Sequence, residues 1–359
     1  LCVITHSDTL CAITHSKIIM RILSMLVNRI ISSTVAGLVA VVIGFTSSVA
    51  LIYQTVINLG GDASLASSWI LTLGLSMGVT SIALSFYFRV PILIAWSTPG
   101  AALLIANTQN FNLNEAIAGF LFSALLIFLC GITGWFERLM SKLPLQLACA
   151  MLAGILVNFG VNVFNQMNDE PLLVIVMFLT YLLSRQLMPK FTMLLVLTVS
   201  IVLAWQLELI TFTVFSWQLS EFRYISPEFN ISAILGIGIP LFLVTMAAQN
   251  LPGIAVLKAH NYKAPVSSIL SVTGFVNMLA APFGGYAINL AAITAAICMT
   301  EEVDKKPERR YWAAISGGLF YILMAISAGY LMEAFATLPN ALIYSLAGIA
   351  LFTTINSSI

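Results

Sequence analysis

Residues 90–101 read Val-Pro-Ile-Leu-Ile-Ala-Trp-Ser-Thr-Pro-Gly-Ala. The first seven favour an extended chain, whereas Thr98 as N-cap and Pro99 as first helical residue predict a helix that starts there. Residues 282–296 repeat this plan as Pro-Phe-Gly-Gly-Tyr-Ala-Ile-Asn-Leu-Ala-Ala-Ile-Thr-Ala-Ala, with glycines opening a second helical run. Both apolar runs are too interrupted for one continuous helix, which predicts two broken spans, each a short strand plus a half-helix.

The composition around these stretches is that of a membrane protein. Of 359 residues, 60% are hydrophobic and 8% charged, whereas soluble domains have about 45–50% apolar and about 25% charged residues. The formal net charge of +1 shows no basic or acidic excess and excludes nucleic acid as the main ligand. The five cysteines form no CxxC pair, so no disulfide framework, metal site or cofactor is expected.

Ten further apolar runs are interpreted as crossings of a hydrocarbon core about 30 Å thick. With the two broken spans they predict an all-α polytopic protein in a lipid bilayer. The ten runs cover residues 34–58, 65–87, 114–135, 145–164, 171–184, 191–207, 232–257, 265–281, 311–332 and 338–355.

The positions of lysine and arginine predict the orientation, since cytoplasmic loops carry the basic excess. With the N-terminus in the cytoplasm, 14 basic residues lie inside and only Arg223 lies outside. Residues 1–19 contain a near-duplication and do not begin with Met, which predicts a leader that is not native. A His-rich metal-binding tract through His6 and His15 is the alternative for this leader.

The spans repeat along the chain. Starts at 34, 114 and 145 recur at 232, 311 and 338, and the broken runs at 90 and 282 differ by 192 residues. Seven crossings separate the copies, an odd number, so the second copy is expected to be inverted, as in secondary transporters. We therefore expect a first repeat of seven spans, an extracellular connection, and a second repeat that stops after its fifth span; their ranges are 20–207, 208–231 and 232–359.

A helix that starts in mid-membrane has unpaired backbone N–H groups, which favour an anion. The first span of the second copy adds two adjacent amides, Gln249 and Asn250, whose counterpart in the first copy is the polar stretch from Phe45 to Ser48. Each feature has a simpler interpretation: glycine and proline also kink packing helices, and amides also join helices. The pairing of broken spans at equivalent positions favours a binding site.

Three stretches resemble the BenE family of benzoate:proton symporters: residues 95–101, 246–259 and 282–296. The resemblance implies a uracil-permease-like fold of fourteen spans, with a substrate-holding core domain and a gate domain that usually dimerises. The core would comprise spans 34–107 and 232–299 with adjoining helices, and the gate the remaining spans. The substrate would lie between half-helices at Ser97–Gly100 and Tyr286–Asn289.

The expected function is proton-coupled transport of benzoate or a related aromatic carboxylate across the inner membrane. Uracil-permease relatives carry carboxylates where this chain has Gln249 and Ile288, which suits an anion but leaves the proton without a carrier. A channel or transporter for another small organic anion or a nucleobase-like solute stays open, whereas no catalytic group for an enzyme can be assembled. The expected substrate contacts are Phe45, Trp96, Ser97, Thr98, Gly100, Gln249, Asn250, Tyr286 and Asn289.

Overall fold

The computed structural model describes residues 29–107, 111–136, 160–210 and 219–358, together with Gly154 and Val157. The predicted leader and most of the span predicted at 145–164 lie outside the described residues.

The first half of the chain forms long helices interrupted by one short strand. A turn at Ser47 and Ser48 interrupts the first helix. The elements are α1 (Arg29–Asn58), α2 (Ala63–Phe88), β1 (Ile94–Trp96), α3 (Thr98–Asn107), α4 (Leu113–Thr133), α5 (Pro171–Leu187) and α6 (Thr192–Gln206). Residues 160–165 are helical, and short 3₁₀ turns lie at Gln166–Asn168 and Pro189–Phe191.

The described part of the second half also forms helices interrupted by one short strand. Its first helix contains two π-helical turns, Ile234–Gly238 and Met246–Asn250. The elements are α7 (Ile231–Ala259), α8 (Val266–Ala280), β2 (Ile288–Leu290), α9 (Ile293–Cys298), α10 (Tyr311–Ile326), α11 (Ala328–Ala336) and α12 (Asn340–Ser358), with 3₁₀ turns at Ala281–Phe283 and Pro307–Arg309.

Side-chain caps fix where several of these helices begin. Asp62 accepts a hydrogen bond of 2.7 Å from the N–H of Leu65 at the start of α2. At the start of α4, Asn112 and Glu115 form a capping box, with bonds of 2.8 and 3.0 Å in the two directions. The helix ends at Gly134, whose φ of +65° is the left-handed conformation that glycine adopts readily.

The predicted fold class is confirmed: the chain is mostly helical, with two spans that are each broken into a strand and a helix. Among the described helices, six are long and apolar enough to cross a membrane, and one bent pair would make a seventh. That pair corrects one predicted span, because 311–332 is not continuous but bends by 60° between α10 and α11. At the bend both the N–H and the hydroxyl of Ser327 donate to Leu323 O at 3.1 Å, a pattern that bends helices.

Helices of the first half pack against helices of the second half. The α2 helix lies along α10, and α4 lies along α8. Glycines allow this close approach: a methyl group on Gly78 would lie 2.6 Å from Gly318 O, and one on Gly274 would lie 2.4 Å from the backbone N of Phe128. The small-residue pair Gly74 and Gly78 therefore serves a contact within the chain. Two interlocked repeats would produce this arrangement, and the inverted repeat itself stays a prediction.

Candidate substrate site

The two broken spans meet through their strands. Strands β1 and β2 are antiparallel, and Ala95 lies opposite Asn289 at the centre of the pair. The bonds Ser97 N–H to Ala287 O (3.0 Å) and Ala291 N–H to Leu93 O (2.9 Å) extend the ladder at both ends. Since bonded pairs alternate in such a ladder, the backbone groups of the even-numbered residues point away from it. In a bilayer those outward groups need other partners.

Two serines of α2 satisfy the outward edge of β1. Ser85 donates to Ile92 O at 2.8 Å and accepts from Ile92 N–H at 3.1 Å, and Ser81 accepts from Ile94 N–H at 2.9 Å. Both serines are fully buried and lie four residues apart, on one face of the helix. Serine hydroxyls thus take the place of a third strand.

Two asparagines satisfy the outward edge of β2. Asn277 on α8 donates to Ile288 O at 2.9 Å and accepts from Ile288 N–H at 2.7 Å. Asn250 in the second π-helical turn of α7 accepts from Leu290 N–H at 3.0 Å, while its amide N–H₂ faces the sulfur of Met246. Asn250, predicted as a substrate contact, therefore has its oxygen engaged with the backbone. The sequence analysis missed Ser81, Ser85 and Asn277; their only signal was a polar side chain in an apolar span.

The start of α3 corrects the predicted cap by one residue. Ser97, not Thr98, is the N-cap: its hydroxyl accepts from Gly100 N–H at 3.0 Å and its carbonyl from Ala101 N–H at 2.9 Å. The hydroxyl of Thr98 is instead paired with that of Ser48, 2.7 Å away at the turn in α1. The N–H of Gly100 is therefore already bonded, whereas that of Thr98 has no partner among the described residues.

The second broken span also differs from its prediction. Tyr286 precedes β2 and Asn289 lies within it, so neither belongs to the half-helix, which begins only at Ile293. Pairing with β1 keeps the chain extended as far as Ala291. The Tyr286 hydroxyl donates to Ser97 O at 3.2 Å. The Asn289 amide, oriented to satisfy both ends, accepts from Ser97 N–H at 3.1 Å and donates to Leu290 O at 3.2 Å.

The side chains of the remaining predicted residues make no hydrogen bond to the backbone of the two strands in the described part of the chain. The rings of Phe45 and Trp96 lie 6.0 Å apart with a tilt of 46°. Gln249 is half-buried, and its amide makes no hydrogen bond with the part of the chain that the structure describes. Thr98 is half-buried as well, with the free N–H noted above. These four residues can accept a ligand without breaking a contact that holds the strands.

Three ionisable side chains, His260, Glu115 and Glu333, lie near helix ends. His260 is the C-cap of α7, with Nδ1 2.9 Å from Val256 O. Glu115 belongs to the capping box of α4. Glu333 on α11 lines a separate cavity of about 590 Å³ whose other walls include Ser67 of α2 and Arg223.

Curated proteins of similar sequence extend over most of the chain. Inner membrane protein YdcO of Escherichia coli (strain K12) is 43% identical over 326 residues, which cover 90% of this chain and 83% of that protein. The Benzoate membrane transport protein of Acinetobacter baylyi (strain ATCC 33305 / BD413 / ADP1) is 37% identical over 329 residues, which cover 92% of this chain and 84% of that protein.

Among solved structures, the transmembrane domain of a cyanobacterium bicarbonate transporter, BicA, matches with a TM-score of 0.63 and 13% identity. The match covers 91% of this chain and 88% of that domain, and it shows a shared fold. The model of the BenE family, described as benzoate membrane transport protein, matches residues 28–359. This multi-pass membrane protein belongs to the BenE family, a family of transport proteins and not of enzymes.

Proposed function

We propose that this chain is a secondary active transporter that moves benzoate or a related aromatic carboxylate across the inner membrane together with protons. One observation carries the proposal: a relative named Benzoate membrane transport protein is 37% identical over 92% of the chain. The two paired strands lie beside the start of a helix. Such a helix start can bind a small anion without a fixed positive charge, which supports this function.

The substrate carboxylate would bind at the start of α3. This ten-residue helix presents the free N–H of Thr98, and the partial positive charge of a helix N-terminus favours an anion. The half-buried amide of Gln249 would add a side-chain hydrogen bond. The aromatic ring of the substrate would pack against Phe45 and Trp96, because a ring packs favourably on tilted ring faces.

The other predicted residues would support the site without contacting the substrate. Their polar atoms already make hydrogen bonds within and around the two broken spans, so their contribution is to hold the strands and the helix start in place. In this proposal the supporting residues are Ser97, Gly100, Asn250, Tyr286 and Asn289.

Transport would proceed by alternating access, with the core domain moving against a gate domain that forms a homodimer. The N-terminus would lie in the cytoplasm, as the 14-to-1 distribution of basic residues favours. In a chain whose native cysteines are replaced, a membrane-impermeant thiol reagent added outside intact cells should label Glu221→Cys and spare Lys306→Cys. Both positions are exposed. Labelling of Lys306→Cys alone would therefore indicate the reverse orientation.

In this proposal the coupled proton does not travel on Glu115 or Glu333. These two carboxylates are engaged away from the strands, in a helix cap and in the wall of a separate cavity.

Uptake of labelled benzoate by proteoliposomes tests the proposal. With an acidic exterior and a neutral interior, benzoate should accumulate above its external concentration, and a protonophore should abolish this accumulation. Empty liposomes with the same gradient are the control for passive entry of benzoic acid. Protein-dependent equilibration without accumulation would indicate a channel, and uptake of a different small anion in place of benzoate would exclude benzoate as the substrate.

A further inference from the structure

One buried phenol remains unexplained by the contacts of the two broken spans. Tyr321 on α10 is 1% exposed. Its hydroxyl makes no hydrogen bond with any residue in the described ranges. A buried tyrosine ordinarily has a partner for its hydroxyl, because leaving the group unpaired costs free energy. An acceptor atom supplied by a ligand would pair this hydroxyl.

The phenol hydroxyl lies beside the middle of α1. A methyl group placed on Gly44 would be 3.1 Å from the Tyr321 oxygen and 3.6 Å from Cγ2 of Thr294, in the first turn of α9. Gly44 directly precedes Phe45 and lies one helical turn before Ser48, the residue that pairs with Thr98 at 2.7 Å. The phenol and the start of α3 thus face the same stretch of α1.

Close helix packing fixes this position. A methyl group on Gly74 of α2 would lie 3.0 Å from the carbonyl oxygen of Tyr321, so α2 packs closely against the backbone of the tyrosine. The hydroxyl of Thr294, next to the phenol, likewise has no hydrogen bond with the described residues. The phenol of Tyr321 and the methyl group of Thr294, from α10 and α9, therefore approach α1 at Gly44, next to Phe45.

We propose that Tyr321 is a further substrate-binding residue, whose O–H donates a hydrogen bond to the carboxylate of the aromatic acid; this inference rests on the proposed function. A carboxylate only accepts hydrogen bonds, and bonds to an ionised acceptor are about twice as strong as neutral ones. Tyr321 consequently selects a carboxylate over an uncharged analogue of the same shape.

Replacing Tyr321 by phenylalanine tests this role, because the change removes one oxygen and keeps the ring. Binding of benzoate and of benzamide to the purified full chain is measured by competition with labelled benzoate. For Tyr321→Phe we expect benzoate affinity to fall about tenfold or more, with a smaller change for benzamide. The control Tyr181→Phe removes a hydroxyl from α5, where it accepts from Arg185 at 3.1 Å, and should leave both affinities unchanged.

The ratio of the two affinities decides the test, since it does not depend on how much of the protein is folded. A lower preference for benzoate in Tyr321→Phe supports the proposal. An unchanged ratio overturns it, also if the melting temperature falls, because the hydroxyl would then serve packing alone. If the wild-type chain binds no benzoate, the proposed function itself fails, and a positive wild-type result with an unchanged ratio rejects the role of Tyr321 alone.

Discussion

The two broken spans solve the same physical problem with different side chains. In each, a short strand exposes backbone groups inside the membrane, where no water can pair them. Serine hydroxyls from one helix satisfy the first strand, whereas the amides of Asn277 and Asn250, from two helices, satisfy the second. Asn277 serves both backbone groups of Ile288, as Ser85 serves both groups of Ile92, but the N–H of Ile92 has a second partner in Val90 O at 2.8 Å. Loss of Asn277 therefore leaves one more backbone group unpaired than loss of Ser85.

The largest effect is expected from Asn277→Leu. The change leaves both the N–H and the carbonyl of Ile288 unpaired, and each buried unpaired group costs about 1–3 kcal/mol, or about 2–6 kcal/mol together. Thermal unfolding of the purified protein in detergent measures the loss of stability.

The matched control in the first span is Ser85→Ala. Here the N–H of Ile92 keeps a second partner, Val90 O at 2.8 Å, so only the carbonyl is left unpaired and the loss should be about 1–3 kcal/mol. Equal losses for the two variants would show that the spans depend on their supports to the same degree.

A second contrast concerns the glycine that opens the second broken span. Gly284 has a φ of +87°, and a methyl group on it would lie 2.1 Å from the ring of Trp69. For Gly284→Ala we expect about 1–2 kcal/mol from the left-handed backbone and about 1–3 kcal/mol from overpacking. Gly60→Ala is the control, since Gly60 has a φ of +81° and no atom within 4 Å of the added methyl group. If both variants unfold at the same temperature, overlap with Trp69 does not contribute to the loss of stability.

The sequence predicted the existence of both broken spans because proline and glycine mark them locally. It did not predict the correct helix starts, which depend on distant partners. Ser97 and Thr98 can both act as N-cap residues, and in the structure the hydroxyl of Thr98 is bonded instead to Ser48, 50 positions away. The second half-helix begins later than predicted because pairing with β1 keeps residues up to Ala291 extended.

The supporting polar residues could not be predicted for a related reason. A serine or asparagine in an apolar span often joins two helices, and nothing local distinguishes that role from the support of a strand edge. Asn250 shows the opposite error. It was predicted as a ligand contact, but its side-chain oxygen accepts a hydrogen bond from Leu290 N–H and supports a strand edge. Only the register of the two strands shows which backbone groups need a partner.

A pair of smaller changes compares equivalent single bonds. Asn250→Ala removes the acceptor for Leu290 N–H, and Ser81→Ala removes the acceptor for Ile94 N–H. Each should cost about 1–3 kcal/mol in thermal stability. If Asn250 only supports β2, both variants that fold should bind benzoate with similar affinity. A selective loss of affinity in Asn250→Ala would restore Asn250 as a direct substrate contact.

The smallest effect is expected at the hydroxyl pair that joins α1 to the start of α3. Thr98→Val and Ser48→Ala each remove one hydroxyl from the 2.7 Å contact and should each cost about 0.5–1.5 kcal/mol. The double variant should cost little more than either single variant, because the second change removes a group whose partner is already gone. Melting temperatures of the four proteins complete this cycle. Within the described ranges the start of α9 offers no equivalent hydroxyl, since its first residue is Ile293. Additive losses in the cycle would mean that the two hydroxyls act independently.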